Sequence, residues 1–381
     1  MEGNMTMGLG AYYLRKALEL GDMDLLKEVL SPFLSDKPVK PKKIKPTEVI
    51  SAEDLKGVLL YPYPGDLLYK AAKNDNPEML DILMKGINQA VKDPELKHKI
   101  YRCGIHPFEL EGDAKTVQRF VDNGFQPTAE EIDCALFRSY KPNVLQVYID
   151  NGAVERSNPC QLARSWMAGV TRFGLPKEER LDILNNLISH GMDIKNEYIL
   201  HSTLDPYPYL DWKKEAFQEL IEAGAPIVTE RTSIDPLITA LSQKKLAAAE
   251  VLIDKTPPEK LHTPDMYGVT PLMMVASNPY YQIRNLLEKL VQKGADINAV
   301  DNDGRNALMH VCNEDTAEAL IKMGANVLQK DKQGRSADKV IASQRPYYGG
   351  WGCITAAEAV QKHIEKIKQS RSMPVDKSTS R

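Results

Sequence analysis

The sequence predicts an all-α chain of about ten stacked helix pairs with short β-hairpin turns, and three observations predict it. A turn signature, Asp-x-x-Gly, recurs at Asp265–Gly268, Asp301–Gly304 and Asp331–Gly334, with its glycines 36 and then 30 residues apart. A second set of glycines, each closing an apolar helical run, stands at Gly124, Gly152, Gly191, Gly224, Gly294 and Gly324. Between them apolar residues return at helical spacing, as in Leu286, Leu287, Leu290 and Val291. Self-similarity at a period of about 20–50 residues marks an array in which each unit buries its apolar face on its neighbours.

The earliest units are the helix-turn-helix runs around Leu14, Ala17, Gly21, Leu25 and Leu26, and around Leu67, Ala71, Ala72, Leu80 and Leu83. They are separated by Lys37-Pro38-Val-Lys40-Pro41-Lys42-Lys43-Ile-Lys45-Pro46, five lysines and three prolines, which cannot be helix and is expected to be an extended, solvated connection. Further on, Trp166 to Arg180 reads as an insertion that lengthens the turn inside one repeat and projects from one face. The stretch from Gly224 to Gly294 holds one more pair, around Pro236–Leu241 and Leu246–Ile253, which has lost its glycine.

The residues of the best-preserved unit each have a physical reason. Asp265 suits a turn, where a short carboxylate accepts backbone N–H groups. Thr270 fits an N-cap and Pro271 the first helical position, where a missing N–H costs nothing. Leu272, Val275 and Ala276 fall on one helical face, and Gly294 ends the second helix with positive φ. Near the carboxyl end, the glycine-rich aromatic run Arg345 to Gly352 leads into a capping helix with Ala357, Val360, Ile364 and Ile367 on its apolar stripe and Glu365, Lys366 and Lys368 on the wet side.

These motifs closely resemble the ankyrin repeat, whose pattern is D-x-x-G-x-T-P-L, a short helix, a longer helix, then G-A-D-V-N. Asp265-Met-Tyr-Gly268-Val-Thr270-Pro271-Leu272 and Gly294-Ala295-Asp296-Ile297-Asn298 carry the resemblance, and the upstream units carry it in divergent form. It implies an ankyrin-type solenoid, organised as a divergent N-terminal helix pair (1–36), a Lys/Pro-rich linker (37–60), divergent repeats (61–264), well-matched repeats with a capping helix (265–370) and a disordered tail (371–381). The resemblance also makes Asn298 similar to residues hydroxylated on some ankyrin proteins, although a structural hairpin role is the favoured reading of it.

Composition narrows the function. The 381 residues, 43% hydrophobic and 27% charged, can bury a large core, and a net charge of −3 supplies no global field for nucleic acid or anionic membrane. The five cysteines are odd in number, widely spaced and free of C-x-x-C, which fits reduced thiols in a cytosol-like compartment. Cys312 occupies a place where a repeat wants a small buried residue. Residues 1–10 lack a signal-peptide pattern and no run reaches the ~18 apolar residues of a membrane span. A cytoplasmic, monomeric protein is expected, with secretion into a host cell as an alternative.

No G-x-S-x-G elbow, phosphate-binding loop or H-E-x-x-H helix is present. The seven histidines are scattered over separate repeats, and the carboxylates read as solvated faces. No catalytic residue, cofactor or metal is therefore expected. What remains is binding. By the resemblance, the partner-facing positions on the concave side are Met266, Tyr267, Val269, Asn278, Asn302, Asp303, Arg305, Asn313, Lys332, Gln333 and Arg335. Tyrosines in proline-bearing loops (Tyr61, Tyr63, Tyr207, Tyr209, Tyr280, Tyr281, Tyr347, Tyr348) are further candidate anchors. A protein scaffold or adaptor is the leading reading. The alternatives are a host-directed effector of an intracellular bacterium that acts by binding, and a nuclear or nucleic-acid-associated regulator using the Lys/Pro tract.

Overall fold

A computed structural model of the chain describes residues 8–34, 43, 45, 49–60, 65–74, 76–204, 214–229, 235–278, 283–343 and 351–372. Residues 37–42 of the Lys/Pro tract, the eight loop tyrosines, the 345–350 loop and the tail from 373 lie outside the described residues. Among the described residues there are 21 α-helices and one isolated antiparallel bridge, Lys330 to Ser336. The chain is all-α, and its hairpins are reduced to turns. Among the described residues no helix is long and apolar enough to cross a membrane.

The chain forms two compact units, Met1–Met192 and Asp193–Arg381. The division falls inside the 61–264 block and not at 265, because compactness follows helix packing and not how well a turn signature is kept. In the second unit the pairs are Ile199–Leu204 with Lys214–Glu222, Pro236–Ser242 with Leu246–Lys255, and Pro271–Ala276 with Arg284–Gln292. They continue as the 3-10 turn Ala307–His310 with Glu314–Lys322, and Ala337–Ser343 with Trp351–Ser372. First helices pack on first helices and second on second along this series, the arrangement a repeat array requires.

The first unit runs Leu9–Leu20 with Met23–Val29, Asp66–Lys73 with Glu78–Ala90, and Pro94–Glu111 with Ala114–Asp122. Two further pairs follow: Ala129–Asp133, continued by the π-helical turn Cys134–Arg138, with Pro142–Asp150; and Pro159–Phe173 with Lys177–Ser189.

Two expectations change here. The segment read as linker contains the helix Ala52–Leu60, whose Leu55, Val58 and Leu59 are buried at helical spacing. The lysines and prolines before it masked that short pattern. The Trp166–Arg180 insertion does not project as a lengthened turn. It lengthens the first helix to 15 residues, and fully buried Trp166 donates its indole N–H to the Arg180 carbonyl at 3.1 Å, folding the segment back onto the core. Lys43 of the tract also folds back, with Nζ 2.8 Å from Asp22 and its backbone N–H 2.6 Å from Glu28.

Six of the second helices, drawn from both units, end alike. The residue after each closing glycine donates its N–H five residues back: Phe125 to Phe120, Ala153 to Tyr148, Met192 to Leu187, Ala225 to Leu220, Ala295 to Leu290 and Ala325 to Leu320, all at 2.9–3.1 Å. Both partners of every pair are buried, so each end is fixed by a hydrogen bond and an apolar contact together. The six glycines hold φ between 77° and 110°. A Cβ at Gly324 would meet nothing within 4 Å, so any penalty there is backbone strain alone. Gly324→Val should therefore destabilise the protein by about 1–3 kcal/mol in chemical denaturation. An unchanged unfolding midpoint would remove this glycine from its capping role.

Candidate partner-binding hairpins

Three turns are built from one carboxylate each. Asp265 Oδ1 accepts the backbone N–H of Tyr267 at 2.8 Å and of Val269 at 2.9 Å. Asp301 Oδ1 takes those of Asp303 and Arg305, both at 2.9 Å, and Asp331 Oδ1 those of Gln333 at 3.0 Å and Arg335 at 2.8 Å. In each turn the glycine N–H also returns to the aspartate carbonyl, and the aspartate N–H bonds the carbonyl four residues on. Burial opposes the Asp331 charge, but the Arg335 N–H and guanidinium outweigh it and hold this carboxyl below its usual range.

Successive turns are joined by single backbone bonds, Asn302 N–H to the Tyr267 carbonyl at 3.0 Å and Lys332 N–H to the Asp303 carbonyl at 2.8 Å. Gly268 is required twice over, by its φ of 79° and because a Cβ would come within 2.8 Å of the Asn302 nitrogen. Of the two residues between each aspartate and its glycine, Met266, Tyr267, Lys332 and Gln333 show no side-chain bond that holds a turn, whereas Asp303 pairs with Arg305 and Asn302 Nδ2 donates to the Met266 carbonyl at 3.3 Å. All of them point outward: Met266 and Tyr267 are 77% and 64% exposed, and Asn302, Asp303, Lys332 and Gln333 are exposed with them.

The remaining expected positions divide. Val269, Arg305 and Arg335 are half-buried, with Arg305 Nη1 3.3 Å from Asp303 and Arg335 paired to Asp331 at 2.8 Å. Asn278 and Asn313 are 4% and 8% exposed, so neither can face a partner. Asn313 instead caps the Glu314–Lys322 helix, accepting the Thr316 N–H at 2.8 Å. Position after the first helix implied display by resemblance, but the short helices of these units bring both asparagines into the packed layer. Asn298 is exposed and accepts the Asn326 N–H at 2.7 Å, linking one loop to the next.

Thr270 caps its helix as expected, accepting the Met273 N–H at 3.4 Å. Its counterpart Asn306 does not; it is fully buried and donates to the Asn326 carbonyl at 3.0 Å, and a 3-10 turn replaces the helix there. Cys312 is buried and donates to the Ser277 carbonyl at 3.3 Å, and burial pushes its thiol up to about 11. That is the inert small residue the repeat wanted.

A second group of side chains was not anticipated. His98, Arg102 and His106 lie at four-residue steps on Pro94–Glu111 and face Glu130, Glu131 and Cys134 of the next unit. Glu109 and Glu131 are 2% and 0% exposed, contrary to the reading of the carboxylates as solvated faces. Glu109 accepts from Tyr148 Oη and lies 3.0 Å from His106 Nδ1. Burial raises the Glu109 carboxyl above its ordinary range against those bonds, whereas for Glu131 the bonds from His98 and Thr128 overcome burial and lower it. The i, i+4, i+8 spacing of three nitrogen-bearing side chains was the available signal.

The pattern described as Ankyrin repeat matches residues 267–302. Neurogenic locus notch homolog protein 1 of Homo sapiens is 32% identical over 128 residues, 32% of this chain, and that of Danio rerio 27% over 232 residues, 55% of it. Transient receptor potential cation channel subfamily A member 1 of Drosophila melanogaster is 27% identical over 129 residues, 32% of this chain. The alignments span 5%, 9% and 10% of those relatives, so the likeness is to a small part of each.

Behind the middle turn, His310 Nε2 lies 2.9 Å from Asp301 Oδ2, the carboxylate oxygen that the turn leaves over. Burial pushes the His310 imidazole below its ordinary 6.5, with Arg305 adding to the effect and Asp301 and Asp303 opposing it. The folded chain then holds fewer protons here than the unfolded chain. Its contribution to stability is complete above 6.5 and is lost as pH falls from that value through the folded pKa. His310→Gln should accordingly flatten the acid-side fall in stability that begins near pH 6.5. Denaturation midpoints with the same pH slope in both proteins would show that this imidazole does not set it.

Proposed function

We propose that this chain, an ankyrin-repeat protein, works by holding another protein against the row of turns from Asp265 to Arg335, without catalysing a reaction on it. Ankyrin repeats are protein-interaction modules, and each turn is held by one aspartate oxygen and backbone bonds and not by Met266 or Tyr267. The observation that carries the reading is the exposure of Met266 and Tyr267, 77% and 64%, side by side at one turn tip. A rigidly held tyrosine supplies contact area at little cost in side-chain entropy, and aromatic anchors carry a disproportionate share of interface energy.

The neighbouring tips fix the chemistry of the partner. Asp303 at the middle turn is already paired with Arg305, and Lys332 lies at the last turn, so a complementary surface is apolar opposite Met266 and Tyr267 and acidic opposite Lys332. The displayed set is accordingly Met266, Tyr267, Asn302, Asp303, Lys332 and Gln333, with Val269, Arg305 and Arg335 supporting from behind. Arg305 is a poor anchor because its guanidinium already engages Asp303.

Met266→Ala with Tyr267→Ala should weaken retention of a captured partner at least roughly tenfold, because truncating a central anchor commonly costs about 2 kcal/mol or more. Folding stability should change by under about 0.5 kcal/mol, as both side chains are exposed. Lys366→Ala, on the wet side of the terminal helix, should alter neither. Unchanged affinity in the double variant would place the binding surface elsewhere.

A further inference from the structure

We propose that His106, Glu109 and Cys134 form a site for one divalent transition-metal ion of zinc type, in the first unit and independent of the turn surface. The imidazole nitrogen, the carboxylate oxygen and the thiol sulfur all lie within 4.8 Å of one another. Zinc bound at ~2.0–2.3 Å to such atoms in a tetrahedron sets them about 3.3–3.8 Å apart, so side-chain rotation alone closes the site. Nitrogen with thiolate sulfur favours zinc and its neighbours over magnesium or calcium.

The donors are held by different elements. His106 and Glu109 stand one turn apart on Pro94–Glu111, whereas Cys134 opens the π-helical turn of the following unit. Such a widened turn re-aims a side chain and often accompanies a site. Glu109 and Cys134 are almost fully buried, but the His106 side chain is 41% exposed, which gives an ion access and leaves room for a water as fourth ligand.

The surrounding groups suit the ion. Tyr148 donates to Glu109 Oε1, leaving Oε2 turned to His106. Such outer hydrogen bonds orient metal ligands. Burial and the Glu109 charge push the Cys134 thiol up, while Arg102 Nη2, 3.7 Å from the sulfur, acts in the opposite sense, so it is the ion itself that would hold the sulfur as thiolate. Binding releases the thiol proton and any proton shared by His106 and Glu109 to solvent, and the two anionic ligands then neutralise the ion. The adjacent trio His98, Glu130 and Glu131 is not a second site, since Arg102 Nη1 already sits against both of its carboxylates. The three ligands escaped the sequence reading because they cross a repeat boundary and contain neither a cysteine pair nor a histidine pair.

The test is titration of the full chain with cobalt(II), whose thiolate charge-transfer absorption in the near-ultraviolet reports a sulfur ligand. One equivalent should saturate the band, and zinc should abolish it by displacement. Cys134→Ser should lose the band, His106→Asn should weaken cobalt affinity at least tenfold, and Cys160→Ser should match the unsubstituted protein. His106 is half-exposed, so its variant decides the matter should Cys134→Ser fail to fold. No band, a band that persists in Cys134→Ser, or unaltered affinity in His106→Asn would overturn the site and leave a hydrogen-bonded polar cluster.

Discussion

The bond from the residue after each closing glycine to the carbonyl five residues back is the constraint on which the rest of the architecture depends. It ends the second helix, satisfies a carbonyl that would otherwise be stranded at a helix terminus, and sends the chain off at a fixed angle. Each instance also buries an apolar residue, from Phe125 to Ala325, at the place where the next unit begins. A local backbone choice thereby sets the start of a long-range packing layer. Where the glycine is missing, after Leu246–Lys255, the helix ends on Thr256 in extended conformation and the chain passes through a 3-10 turn before the next hairpin.

The sequence revealed this layer well, because a glycine at positive φ and an apolar stripe at helical spacing are local signals. Gly124, Gly152, Gly191 and Gly224 disclosed their helix ends even in units that had lost the turn signature. The helix Ala52–Leu60 was hidden because three apolar residues beside a run of lysines and prolines do not outweigh their surroundings. Trp166 was read as part of a projecting loop because burial of an aromatic through a bond to a carbonyl 14 residues away leaves no trace in spacing.

The display positions were legible to the extent that they obey the turn. Met266, Tyr267, Asn302, Asp303, Lys332 and Gln333 follow from the rule that the aspartate before them and the glycine after them close the turn, which leaves the residues between exposed. Asn278 and Asn313 do not follow from any such rule, since their exposure depends on the length of the preceding helix. The buried group around Arg102 depends on contacts between units, and its carboxylates could not be told from surface ones by neighbouring lysines.

The turn ladder separates two properties that most surfaces confound. One aspartate oxygen and a few backbone bonds hold every turn, and a single backbone amide-to-carbonyl link, joined at the first step by the Asn302 side-chain amide, spaces each turn from the next. The identity of Met266, Tyr267, Lys332 and Gln333 is then nearly invisible to the fold. Such a surface can change its specificity by successive single substitutions, each neutral for stability, at an edge whose spacing never alters. Divergence of recognition along this edge is limited by the partner and not by the scaffold.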